Sequence, residues 1–449
     1  MFKFLHVICI VFAIGEANPI TLNSTLLHWH PQPESVVREV QRRINKSVWR
    51  RSLLSGGRCE TGNPIDDCWM CGSNWETNRQ RLADCAIGFG VAAKGGKGGR
   101  VYVVTDSSDN PENPRPGTLR HGVIQHGPLW IEFSTSMTIV LKHKLIFGSY
   151  KTLDGRGANV SITGHGCLAL QNVSHVIIHG INIYGCQPSG SSRVASSPSS
   201  AWWRGQSDGD GISIFGSQQV WIDHCTLSNC TDGLIDVIMG STAITISNSY
   251  FSDHDQVMLL GHDDTHVPDK YMQVTIAFNY FGRGLTQRMP RCRHGYFHIV
   301  NNDYSPWKMY AIGGSANPTI NSQGNRYTAS SDPNLKEVTK RVDMNETRWS
   351  EWNWMSEGDV MQNGAFFRRS GRGSCQQYTD DNRLVARSAK YIVQLTSNAG
   401  AFETSRNGDM QRRGKDNGND LGNALSVFCD GFFFHILIGL FNILFVAIL

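Results

Sequence analysis

The runs Val220-Trp-Ile-Asp-His-Cys-Thr-Leu, Ile244-Thr-Ile-Ser-Asn-Ser-Tyr-Phe, Val274-Thr-Ile-Ala-Phe-Asn-Tyr-Phe and Phe297-His-Ile-Val-Asn-Asn-Asp-Tyr repeat one pattern. An earlier copy starts at Val176 and a later one at Ile320. Aligned on their sixth position, they place Ile181, Cys225, Ser249, Asn279, Asn302 and Asn325 in one column, the last five spaced 24, 30, 23 and 23 residues apart. A period near 23 with β-branched alternation predicts the coils of a parallel β-helix, in which alternate side chains stack inward on the coils above and below. Column asparagines suit such a stack, because their amides can hydrogen-bond from coil to coil and to turn backbone. A leucine-rich repeat has a similar period, but its Leu-x-x-Leu-x-Leu pattern is missing. A β-sandwich would give such strands without the register.

Composition agrees with this reading. The 449 residues hold 46 glycines and are 40% hydrophobic, which favours a turn-rich β architecture with a sizeable core over disorder. The net charge of +4, from 42 basic and 38 acidic residues, is too even for a dedicated nucleic-acid binder. We therefore expect no nucleic-acid partner.

Residues 1–17 read as a secretory signal, with Lys3, the apolar run Phe4 to Ile14 and the small-residue site Gly15-Glu16-Ala17. Residues 18–85 form a cysteine-containing extension, 86–400 the β-helix body and 401–426 a polar linker. Residues 427–449 form a hydrophobic tail. The tail holds an 18-residue apolar stretch, Phe432 to Leu449, broken only by His435 and Asn442. It reads as a lipid-anchor signal, a membrane span or a merely hydrophobic end. In each case the body faces outward, secreted or in the cell wall, with attachment at the outer face of the plasma membrane as the anchored form.

Twelve cysteines in an exported chain predict disulfides. Cys59, Cys68, Cys71 and Cys85 cluster, and Cys167/Cys186 and Cys225/Cys230 are local pairs. Zinc at Cys68-x2-Cys71 is the weaker reading. Sequons at Asn23, Asn45, Asn159, Asn172, Asn229 and Asn345 fit a secreted glycoprotein. The segment from Gln187 to Gly205, with Trp202-Trp203, reads as a protruding loop. Ser330 to Asn363, with Trp349, Trp352 and Trp354, reads as a covering segment whose tryptophans serve packing rather than sugar stacking.

The chemistry gathers in two places. Asp208-Gly-Asp210-Gly and Asp232-Gly-Leu-Ile-Asp236 stand one coil period apart, so three or four carboxylates converge with no basic residue between them. Converged like charges need a proton or a cation, and all-oxygen ligation suits calcium. Taken alone, each Asp-Gly is ordinary turn chemistry. Further on, Gln287-Arg288-Met-Pro-Arg291-Cys-Arg293-His-Gly carries three arginines whose planar forks suit a carboxylate polymer. Arg288 and Arg293 lie on opposite strand parities unless Pro290 bends the chain.

These motifs, with Val220-Trp-Ile-Asp-His-Cys, Val257-Met-Leu-Leu-Gly-His and Ala311-Ile-Gly-Gly-Ser-Ala-Asn-Pro-Thr-Ile-Asn-Ser-Gln-Gly-Asn, resemble the plant pectate lyases of polysaccharide lyase family 1. The likeness covers residues 58 to 400. It implies a right-handed parallel β-helix and calcium-dependent eliminative cleavage of de-esterified homogalacturonan by a monomer. By resemblance, Asp208, Asp232 and Asp236 match the calcium ligands with Asp210 as a fourth. Arg288 matches the catalytic base and Arg293 a substrate-binding arginine. In one departure, bacterial members carry a lysine shortly before the arginine coil where this chain has Gln256. Elimination removes the C5 proton of a uronate as the C4 oxygen leaves. Arginine is an awkward base, since its ordinary pKa lies above 12. Two roles therefore stay open for Arg288: proton acceptor beside the ion and the flanking Arg291 and Arg293, or charged stabiliser of the developing anion. A polygalacturonase-type hydrolase and a non-catalytic pectin-binding wall protein are the alternatives.

Overall fold

Each repeat run turns a corner at its centre. The residue before the column position takes positive φ in every coil: Gly180, His224, Asn248, Phe278, Asn301 and Gly324 have φ of 73°, 50°, 46°, 59°, 52° and 63°. One left-handed residue between two extended segments makes a sharp bend without a loop, so each run is two strands of different sheets. In a computed structural model of the chain, these corners stack in register into a right-handed parallel β-helix. The structure describes residues 61–71, 75–342, 344–372, 384–404 and 410–412. The signal, the tail and Cys59, Asn23 and Asn45 lie outside them.

Three parallel sheets form the walls. The first has ten strands, from Arg100–Val104 to Trp354–Glu357, the second nine, from Met137–Leu141 to Val360–Gln362, and the third eight, from Leu145–Ile146 to Thr339–Arg341. Representative coil members are Gln218–Asp223 in the first sheet, Thr226–Ser228 in the second and Ile235–Ile238 in the third. The register repeats every 24 residues between Val220 and Ile244 and every 23 between Ile212 and Ile235.

The column residues form a ladder that runs along the stack. Ser249 Oγ accepts from the Cys225 amide at 3.2 Å, and Asn279 Oδ1 accepts from the Ser249 amide at 2.9 Å. Asn302 Oδ1 accepts from both the amide and the Nδ2 of Asn279 at 2.9 Å, and Asn325 does the same for Asn302 at 2.8 and 3.0 Å. The last rung is an acid: Asp359 Oδ1 accepts from the amide and Nδ2 of Asn325, while Oδ2 accepts from the hydroxyls of Ser322 and Ser356. The column side chains from Ile181 to Asn325 are buried, so a lost rung strands donors away from water. Asn302→Ala is expected to destabilise the fold by about 2–4 kcal/mol, since each stranded donor costs roughly 1–3 kcal/mol. Urea unfolding measures this, and an unchanged midpoint would mean that water repairs the gap. Beside the ladder, Phe251, Phe281, Tyr304 and Tyr327 stack face to face through the core with centroids 5.2, 4.4 and 4.6 Å apart.

The first sheet is covered on its outer face as well. The extension lays the short helix Pro64–Trp69 and the turn Arg79–Cys85 there, joined by a Cys68–Cys85 disulfide. Outward threonines receive its backbone: Phe89 N donates to Thr275 Oγ1, Gly90 N to Thr245 Oγ1 and Gly96 N to Thr152 Oγ1. Approach is so close that a Cβ on Gly96 would stand 2.0 Å from the Leu129 carbonyl oxygen. A buried charge cluster adds to the seal: His224 meets Asp66 of the helix at 3.1 Å and Asp223 at 2.6 Å. Against the effect of burial, Asp223 and Asp66 raise the His224 pKa to about 9.

Several expectations are settled by this geometry. Cys167–Cys186 is a disulfide, but Cys225 and Cys230 are free. The strand Thr226–Ser228 stands between them and, at about 3.3 Å per residue, carries Cys230 away from Cys225 beyond the Cα separation of a disulfide. Trp349, Trp352 and Trp354 are buried, as packing requires. Ser330 to Asn363 is more than a cover, however: it supplies Thr339–Arg341, Trp354–Glu357 and Val360–Gln362, one strand to each sheet, and so a further coil. The loop from Gln187 to Gly205 is an antiparallel hairpin, Ser192–Ser197 with Ser200–Arg204. Within the expected linker, Phe402–Thr404 pairs with Met410–Arg412. Asn172, Asn229 and Asn345 are exposed, whereas Asn159 is half-buried and accepts from Asn182 Nδ2. No described helix is long and apolar enough to cross a membrane.

Candidate active site

Unlike the first sheet, the third keeps part of its outer face open. Its strands put Ile146, Ala169, Ser213, Asp236, Leu259, Arg291, Gly313 and Lys340 in one outward column, in that order along the stack. Asp236 therefore lies two strands from Arg291, about 10 Å at the usual strand spacing.

The other three acids sit on the turns entering the same strands. Ligand oxygens of Asp208, Asp210 and Asp232 all lie within 4.8 Å of one another. Asp236 joins them through Gly233, where an added Cβ would stand 2.5 Å from Asp236 Oδ1 and 3.0 Å from Asp210 Oδ1. The Gly233 amide also donates to Asp210 Oδ1 at 2.8 Å. Glycine is thus what lets two carboxylates close over one backbone. Burial, then the charges of Asp236, Asp208 and Asp232, push the Asp210 pKa up to about 9. Burial, Asp232 and Asp208 push Asp236 to about 7 while Arg288 opposes them. Burial and Asp208 raise Asp232 as well. His254 braces the cluster from beneath, its Nε2 2.6 Å from the Asp232 carbonyl oxygen. Gly233→Ala is expected to force the acids apart and weaken divalent-ion binding roughly tenfold or more, the scale of losing an orienting partner at a metal site. Calorimetric titration with calcium measures it, and unchanged affinity would separate Gly233 from ion binding.

The arginines arrive from the next coils. The chain bends at a cis Met289–Pro290 peptide, and Arg288 has φ of 60°. Arg291 and Arg293 then share a strand and point outward around the buried Cys292. The bend resolves the parity question: Arg288 acts electrostatically on Asp232 and Asp236, and its Nε is buried without a hydrogen-bond partner. Arg291 Nε is likewise buried and unpaired, and burial, Arg293 and Arg288 all lower its pKa. Arg293 is more committed. Its Nε donates to Asp264 Oδ1 at 3.0 Å and its Nη1 to the carbonyls of Gly261 and His262, which leaves Nη2 uncommitted. Gln256 stands near the start of this region, bridged to Gln287.

Tyr310 had no signal in the sequence. Its ring lies where a Cβ on Gly313 would come within 2.4 Å of it, beside Arg291 and Arg288, and burial raises its hydroxyl pKa while Arg291 and Arg288 oppose. His254 was equally silent. Only the coil register brings either residue to the arginines or the acids.

A β-helix with an acid cluster facing arginines across one open sheet suits an anionic polysaccharide, and the likenesses of the chain assign it to the polysaccharide lyases. The family model for pectate lyase matches residues 87–369. "Probable pectate lyase 13" of Arabidopsis thaliana is 58% identical over 422 residues, covering 91% of this chain and 82% of that protein. "Probable pectate lyase 5" of the same plant is 60% identical, covering 83% and 90%. Among solved structures, jun a 1, the major allergen from cedar pollen, is 50% identical with a TM-score of 0.75, over 76% of this chain and 99% of that one. The chain belongs to the pectate lyase family.

Proposed function

We propose that this pectate lyase is calcium-dependent and cleaves de-esterified (1→4)-α-D-galacturonan of the cell wall by elimination, giving 4,5-unsaturated oligogalacturonates. The observation that carries the reading is the cluster of Asp208, Asp210, Asp232 and Asp236 beside Arg288 on an open sheet. The donor set fits a hard divalent cation: it is all oxygen, and burial together with mutual repulsion holds two of the acids well above the usual carboxylate range. When bound, the ion would supply Lewis-acid withdrawal of charge from a substrate carboxylate.

The chain's own residues do the rest. Arg291 and the Nη2 of Arg293 bind a uronate carboxylate and set the sugar against Arg288. Arg288 takes the proton as the C5–H bond breaks. The electron pair forms the C4–C5 double bond, and the C4–O bond breaks with the glycosidic oxygen leaving. Tyr310, beside Arg291 and Arg288, fixes their orientation. Gln256 leaves this position without the positive charge that a lysine would add.

The chain is exported and acts as a monomer on this reading, with the β-helix of residues 86–400 as the catalytic body. Incubation with polygalacturonate, with and without calcium, tests it. An ultraviolet absorbance rise that a chelator abolishes is the expected result. Reducing ends without absorbance would indicate hydrolysis, and binding without cleavage would indicate a wall-binding protein.

A further inference from the structure

The outward column of the third sheet continues past the acids and is covered there. Two and three strands beyond Asp236, Ala169 and Ile146 are buried with Val194 of the Ser192–Arg204 hairpin, so the hairpin is seated about 10–14 Å along the stack from Asp236. Its base is tied to the acid cluster: Ser189 and Ser207 exchange both backbone hydrogen bonds at 3.0 Å, and the next residue is Asp208. Trp202 pairs with Val194 and so projects from the hairpin face turned to the sheet, while Trp203 pairs with Arg193 on the other. Both are exposed, at 64% and 73%. Trp202 thus shares the sheet-facing side of the hairpin with Val194 while staying largely exposed.

Two cations meet at the same base. Lys144 Nζ donates to the Gln206 carbonyl at 3.2 Å, and its own carbonyl is gripped by Arg120, a fully buried residue paired with Asp109. That bond sets the Lys144 ammonium beside Gln206, midway along the chain between Arg204 and Asp208. Arg204 is half-buried, and its Nε is buried with no hydrogen-bond partner. Among the described residues neither cation forms a salt bridge of its own. Partly desolvated cations on fixed backbone, beside a sugar-sized aromatic face, suit an anionic saccharide.

We propose that Lys144 and Arg204 form a carboxylate subsite for a uronate distant from the bond being cleaved, with Trp202 as the platform for its ring. The subsite rests on the pectate lyase reading above and deepens it: the polymer runs along the stack, from the arginines across the acids to the hairpin. These are positioning residues, and they touch no reacting atom.

The test is calorimetric titration of tri- through octagalacturonate, in the presence of calcium, into Arg288→Lys protein with and without a second change. Lys144→Gln and Arg204→Gln are each expected to weaken the longer oligomers roughly tenfold, as loss of a charged hydrogen bond does, and to leave the trimer unaffected. Trp202→Ala should weaken them about fivefold, and Trp203→Ala, on the opposite face, by less than about twofold. Lys144→Arg should keep the longer oligomers bound, whereas loss of the trimer as well in Lys144→Gln would assign Lys144 a merely structural role. Unchanged affinity for the octamer in Lys144→Gln, with tighter calcium binding, would overturn the proposal and make Lys144 only a counter-charge to the acids. In otherwise wild-type protein the same changes should raise KM on polymer with little effect on kcat. A wild-type chain that gives no unsaturated product would defeat the elimination reading, whereas length-dependent binding tests the subsite independently.

Discussion

Arg288→Lys is expected to abolish nearly all turnover, by roughly 100-fold to 10,000-fold, the range spanned by a positioned acid–base group. Lysine keeps the charge and most of the length, so binding of polygalacturonate should survive. What changes is geometry. The left-handed backbone at Arg288 and the turn after it bring the guanidinium to Asp232 and Asp236. An ammonium cannot present two nitrogens in that plane. Stopped assays of unsaturated product alongside a polymer-binding measurement separate the two effects. Turnover retained within tenfold would remove Arg288 from the proton transfer, and loss of binding in step with turnover would recast it as a substrate anchor.

Asp210→Asn should produce the second large effect, in two directions at once. Activity is expected to fall roughly 100-fold or more, since even outer partners at metal sites are worth 10–100-fold. The ion-free protein, in contrast, should become more stable at neutral and alkaline pH. The sign follows from proton uptake. With Asp210 at about 9 and Asp236 at about 7, both above the ordinary aspartate value, the folded state binds more protons than the unfolded one between about pH 4 and 9. Ion-free stability therefore declines as pH rises through that window, and removing one charge relieves part of the decline. Thermal melts with chelator at pH 5 and pH 8.5 report it. A variant less stable than wild type at pH 8.5 would mean that the acids do not repel one another as their packing implies.

The fold was legible because its repeating unit is short and its column residues are chemically alike. Ser249, Asn279, Asn302 and Asn325 mark successive corners, and hydrophobic alternation marks the strands between them. Legibility ended where the repeat was stretched. From Asn325 to Asp359 the chain takes 34 residues and replaces amide with acid, so the last coil looked like a covering segment. The acid cluster was readable because Asp-Gly pairs recur at coil spacing, although the true register there is 23 residues, which sets Asp210 rather than Asp208 opposite Gly233. The bracing of Arg293 by Gly261, His262 and Asp264 was not readable, because that loop precedes it by some 30 residues and shares no pattern with it. The same holds for Lys144, which sits in an unremarkable segment and reaches the site only through the stack.

The acid at the final rung has one more effect. Open ends of stacked β-coils are templates for end-to-end growth into filaments, and an amide there would offer an incoming copy both a donor and an acceptor. Asp359 offers no donor when ionised, and its oxygens are already occupied by Asn325, Ser322 and Ser356. A newcomer's amides would meet an acceptor already occupied, and its carbonyls would find no donor. The rung that completes the column therefore also guards a sticky end against fibre formation.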